Sequence, residues 1–208
     1  EAVAADARAQ GADVIARTGD LALPATAPEL IAAARTAFGR VDQIVSNAGR
    51  AQKARFGEIG PGDLDTAFAM MPMAFFRLVD AALDDLSGPL GRVVAISSFV
   101  AHGYGTNGML FPATAAAKAA LESLAKSLAV QLGPTGATVN CIAPGFVRKD
   151  ADAHAATSPA AMQAARAITP NARLGTPDDI AETTRFLLSP AARHITGQVL
   201  HVDGGLLL

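Results

Sequence analysis

Cysteine is almost absent from this 208-residue chain: Cys141 is the only one, so no internal disulfide can form. It falls inside an apolar, strand-like run, where a thiol normally serves as a small buried hydrophobe. Basic clusters are lacking too. Seventeen Lys and Arg against 19 Asp and Glu leave a formal net charge of -2, and the cations are scattered, which argues against nucleic acid as a partner. No apolar run reaches the roughly 20 residues of a membrane helix, because Arg77 and Asp80 interrupt the longest candidate around Phe75. Glu1 to Gln10 is acidic and alanine-rich, with no basic stretch leading into an apolar one, so no signal peptide is read and a cytoplasmic location is the expectation. Repeats and low-complexity linkers are also missing, and half of the residues are hydrophobic, which suits one well-buried domain.

What the chain does contain is an alternation of short β-branched runs with longer alanine- and leucine-rich segments, the rhythm of a parallel sheet with crossover helices. The expected strands are Asp13–Arg17, Asp42–Ser46, Arg92–Ser97, Thr138–Ala143 and Gln198–Val202. The expected helices are the opening segment, Ala27–Phe38, Pro61–Leu86, Pro112–Leu132 and Pro177–Leu188, with helical turns between Ser158 and Ile168. Thr176-Pro177-Asp178-Asp179 offers a capping hydroxyl, a proline at the first helical position and acid in the first turn. Pro72 should bend or divide its helix by removing a donor. Arg148 to Asn171 is the least strand-like part and a candidate lid over a substrate.

Open parallel sheets bind ligands beyond the carboxyl ends of their strands. The residues found there are Gly19-Asp20-Leu21, Ser46-Asn47-Ala48-Gly49, Ser97-Ser98 and Pro144-Gly145; Thr114 and Lys118 share a face of the helix that follows the third strand. With Asp203-Gly204-Gly205, Arg173-Leu174-Gly175 and Gly197-Gln198 further on, the chain resembles the short-chain dehydrogenase/reductase family nearly end to end. The resemblance implies a Rossmann-like, doubly wound α/β domain that binds NAD or NADP. Asp20 would contact the adenine, Asn47, Ala48 and Gly49 would line the adenosine-ribose side, Lys118 would hold the nicotinamide ribose, and Pro144 and Gly145 would form the family's Pro-Gly turn. Ser98, Thr114 and Lys118 occupy the catalytic positions. No metal is implied, and the family suggests a homodimer or homotetramer built through Asp63–Leu86, Pro112–Leu132 and the closing strand with its tail Leu206 to Leu208.

Several positions depart from the family pattern. The chain contains no glycine-rich strand-turn-helix for the pyrophosphate, and the expectation is that roughly 40 residues precede Glu1, or that another chain fills the gap. Thr114 stands where the family carries a tyrosine; an aliphatic hydroxyl is a far weaker acid than a phenol of pKa about 10. Met71 and Lys149 replace an asparagine and a threonine of the reacting end. The only tyrosine, Tyr104, lies with His102 in a lengthened loop, Phe99 to Ala113, from which either could supply the proton if the loop folds over the site.

The leading expectation is an NAD(P)-dependent oxidoreductase acting on a carbonyl or alcohol of a small molecule. The alternatives are a catalytically silent nucleotide-binding or scaffold relative and, third, a halohydrin dehalogenase-like lyase. Neither the substrate nor the choice between NAD and NADP is legible in these residues.

Overall fold

Four of the apolar runs become strands: β1 Gln43–Ser46, β2 Arg92–Ile96, β3 Thr138–Pro144 and β4 Val199–Val202. They form one sheet in the order β1-β2-β3-β4, parallel throughout, with Gln43 opposite Arg92, Arg92 opposite Thr138 and Cys141 opposite Val199. The computed structural model describes residues 2–148 and 159–208, leaving aside the side chain of Pro159. The helices are α1 Ala2–Ala9, α2 Thr26–Phe38, α3 Pro61–Met70, α4 Pro72–Ala81, α5 Leu83–Leu86, α6 Pro112–Leu132, α7 Pro159–Ala167 and α8 Pro177–Leu188.

Side chains alternate between the two faces of a strand. Val93, Ala95, Val139 and Cys141 join Ile31 of α2, Phe75 of α4 and Leu121 of α6 in the larger core. Val94 and Ile142 point the other way and pack with Leu187 of α8 and with Ala192. Both faces of β2 and β3 are therefore covered, which is why their sequences read as continuous apolar runs rather than alternating ones. The fold is the expected Rossmann-like, doubly wound arrangement.

One expected strand does not form. Asp13–Arg17 is not a strand; it runs as irregular chain, with Ile15 more than a third exposed. A strand exists only through its ladder, and this run has no paired neighbour among the described residues. Pro61–Leu86 is divided, as Pro72 predicts: Met71, at φ -111° and ψ -81°, breaks the path and Pro72 opens α4 as its first residue, where its missing N–H is harmless, and Ala82, at φ -106° and ψ 8°, separates α4 from α5. Of the candidate lid, residues 149–158 lie outside the described residues, and α7 occupies most of the remaining stretch. Thr176 caps α8 as expected: its hydroxyl accepts from Asp179 N–H while the Asp179 carboxylate accepts from Thr176 N–H.

Candidate functional site

Parallel strands deliver all their carboxyl ends to one edge, and a cleft of about 1380 Å³ runs from there along the outer edge of β1, past Val45 and Gln43, to α8. Asn47, Ile96, Ser98, Pro144, Gly145 and Phe111 are among its walls. Ser98 is half-buried and caps the short 3-10 turn Phe99–Ala101, accepting from Val100 N–H at 3.4 Å; its O–H is left to donate to a ligand. The two residues of the Pro-Gly turn play different parts. Pro144 ends β3, and Gly145 is packed so tightly against the next strand end that a Cβ there would fall 2.8 Å from the Asp203 Cα.

Lys118 lies behind this edge and, like Thr114, is not itself among the cleft walls. Only 7% of it is exposed, and its Nζ donates to the Ile96 carbonyl at 2.5 Å. Burial brings the ammonium down from the ordinary 10.5 to about 8, opposed in part by Cys141 on β3 and by Glu122 one turn along α6. A Cβ on Gly49 would stand 3.2 Å from the Lys118 Nζ and 3.4 Å from the Met71 sulfur. The glycine thus keeps the exposed Asn47-Ala48-Gly49 turn open directly above the amine.

The other expected residues do not converge on the cleft. Thr114 is buried, and its hydroxyl accepts from Gln52 N–H at 3.0 Å; it is absent from the cleft walls. Asp20 forms a local turn, its carboxylate accepting from Ala22 N–H at 2.9 Å. Tyr104 is 75% exposed and donates to the Ala101 carbonyl. It lines an apolar cavity of about 400 Å³ that adjoins the cleft, the two sharing Val100, Met109 and Phe111. His102 Nε2 lies 3.0 Å from a Glu122 oxygen. Lys149 falls outside the described residues.

Glu122 was missed from sequence. Its buried carboxylate accepts from the Ser97 hydroxyl and contacts His102, and the rings of His102 and His201 meet edge-on at 4.7 Å. The available signal was its spacing: Glu122 follows Lys118 by one helical turn and therefore shares its face.

The family profile described as enoyl-(acyl carrier protein) reductase matches residues 1–207. The chain belongs to the short-chain dehydrogenase/reductase family. It is similar to the L-rhamnose 1-dehydrogenase (NAD(P)(+)) of Sphingomonas sp., 33% identical over 204 residues, which cover 97% of this chain and 79% of that protein. It is also similar to the peroxisomal 2,4-dienoyl-CoA reductase of Saccharomyces cerevisiae, 34% identical over 170 residues, but covers only 57% of that protein's length. A short-chain dehydrogenase/reductase from Serratia marcescens superposes with a TM-score of 0.90 at 29% identity, covering 100% of this chain and 82% of that one. These likenesses make the chain an oxidoreductase by family. The residues present also suit the nucleoside end of the dinucleotide this family uses: a turn with no side chain at Gly49, open to solvent, sits over a buried amine with one protein acceptor.

Proposed function

We propose that this short-chain dehydrogenase/reductase interconverts a carbonyl and an alcohol on a small molecule with NAD or NADP. The observation that carries the reading is the pairing of Ser98 in the cleft wall with Lys118 buried under the open Gly49 turn. A bound dinucleotide supplies or accepts the hydride. Ser98 donates a hydrogen bond to the substrate oxygen, keeping its proton, and so orients the carbonyl. Lys118 would hydrogen-bond a ribose hydroxyl through an N–H that the protein leaves unused, and Asn47 to Gly49 form the floor on which the nucleoside rests. The apolar walls, with Ile96, Phe99, Phe111 and Phe146 among them, exclude water from the reacting end, which strengthens the polar contacts made there.

A second reading rests on Thr114 and Met71. The hydroxyl of one is tied to a backbone amide and the other is a buried thioether, so a relative that binds the dinucleotide without turnover is consistent with both. Calorimetric titration of the protein with NADH and NADPH, with Lys118→Ala as control, tests the site. The expected result is binding of at least one dinucleotide, weakened roughly tenfold or more in the variant, the loss of one charged hydrogen-bond donor. No binding of either overturns the reading. Binding without turnover across a panel of aldehydes, ketones and alcohols selects the silent relative.

A further inference from the structure

We propose that Lys118 exchanges the proton with the substrate oxygen, in the role that a phenol performs where one is present. This proposal rests on the oxidoreductase reading and adds a chemical role to a residue otherwise placed as a ribose contact.

The other proton-bearing side chains near the cleft are engaged elsewhere. The Thr114 hydroxyl accepts from Gln52 N–H, and as an aliphatic alcohol it is far too weak an acid for the task. The Tyr104 phenol donates to the Ala101 carbonyl, is largely exposed and lines the adjoining cavity rather than the cleft. His102 and Ser97 are both engaged by Glu122. Lys118 is different. An ammonium carries three N–H donors, yet among the described residues its one hydrogen-bond acceptor is the Ile96 carbonyl, and it has no carboxylate within ion-pair distance. Two donors remain, enough for one ribose hydroxyl and one substrate oxygen. The amine is fixed behind the end of β2 by Ile96, which lines the cleft with Ser98 although Lys118 itself does not, and Gly49 puts no side chain between it and the turn above.

The charged and titratable groups that face Lys118 are few. Glu122 lies on its own helix and Cys141 on β3, and both favour the ammonium. The hinge between α3 and α4 presents the uncharged Met71, and the turn presents Gly49. Burial outweighs both influences and brings the group down to about 8, where an acid-base catalyst near neutral pH is effective.

The step balances. In reduction the carbonyl carbon receives an electron pair and hydrogen as hydride from the reduced nicotinamide, and the π pair moves onto oxygen. That oxygen takes a proton from a Lys118 N–H, leaving a neutral amine, which regains a proton from water. Oxidation of the alcohol runs the same transfers backwards and requires the neutral amine at the start.

Two measurements test this. The first needs no substrate: NMR of 13C-labelled lysine side chains, with the Lys118 resonance assigned by its loss in Lys118→Arg, should titrate near pH 8; a midpoint near the ordinary 10.5 overturns the proposal. The second is kinetic. For the wild-type protein, kcat/KM for carbonyl reduction should fall about tenfold per pH unit above pH 8, and kcat/KM for alcohol oxidation should rise up to the same point. Lys118→Arg keeps the charge but cannot release a proton, so at a dinucleotide concentration that saturates the variant it should still lose carbonyl reduction by roughly 100-fold or more. A variant that binds dinucleotide and reduces substrate at the wild-type rate overturns the proposal while leaving the oxidoreductase reading intact. Failure of the wild-type protein to bind any dinucleotide overturns both.

Discussion

Thr114 and Lys118 sit one turn apart on α6, both buried, and their polar atoms face different tasks. The threonine hydroxyl is held by a backbone amide 62 residues away in sequence, so it joins the loop after β1 to the helix rather than serving the cleft. Thr114→Val keeps the shape and leaves the Gln52 N–H without its partner. Because that amide is only partly buried, the expected loss is about 0.5 to 1 kcal/mol, read as a lowered urea midpoint, with dinucleotide affinity unchanged. A variant that keeps wild-type stability but loses affinity would place Thr114 at the ligand instead. The same division explains Cys141, whose thiol is pushed up to about 12, chiefly by burial: it is filler between β3 and α6, not a nucleophile.

Among the elements, α8 is the one whose start the sequence defines most fully. Thr176 and Asp179 close a reciprocal pair of hydrogen bonds, and Arg173 clamps the Asp179 carboxylate with contacts of 2.7 and 2.9 Å. Arg173 first, then Thr176, hold that carboxyl well below the usual carboxylate range. A depressed folded pKa gives stability that is present above the unfolded value and is lost as pH falls through the folded one. Thr176→Ala should cost about 1 kcal/mol, visible as a drop in thermal midpoint at neutral pH, and the loss should shrink in strong acid, where Asp179 is protonated in both proteins. This cap was legible because every partner lies within six residues, and the division at Pro72 was legible because proline carries its own constraint. The strands β1 to β4 were legible to within a residue at each end, since burial on both faces writes an unbroken apolar run. Asp13–Arg17 carries the same local signature and fails, because pairing depends on a neighbour and not on the run itself. The site divides in the same way. Ser98, Pro144 and the Asn47 to Gly49 turn follow strand ends and so reach one edge, with Lys118 of α6 behind it, whereas the partners of Thr114, Tyr104 and Glu122 are set by side-chain packing that no spacing rule encodes.

At the scale of the whole molecule, the buried amine imposes a pH dependence on folding. The fold must carry Lys118 into a nearly closed position with one acceptor, and desolvation lowers its pKa from 10.5 to about 8. Below pH 8 both folded and unfolded chains hold this proton, and the folded one bears the full cost of the buried charge. Between about 8 and 10.5 the unfolded chain binds more protons than the folded one, so this group's contribution raises stability with pH; above 10.5 the cost is gone. Cys141 acts in the opposite sense at higher pH, since a thiol raised to about 12 from 9 removes stability as pH climbs from about 9 toward 12. The two are separable by subtraction, because Lys118→Met leaves Cys141 in place. The stability of wild type minus that of Lys118→Met should rise by an amount on the order of 3 kcal/mol as pH goes from 8 to 10.5, measured by urea denaturation at a series of pH values. A flat difference would mean that water reaches the amine in the folded protein; the open turn at Gly49 would then be a wet entrance even without ligand, and the nicotinamide ribose would have to displace that water on binding.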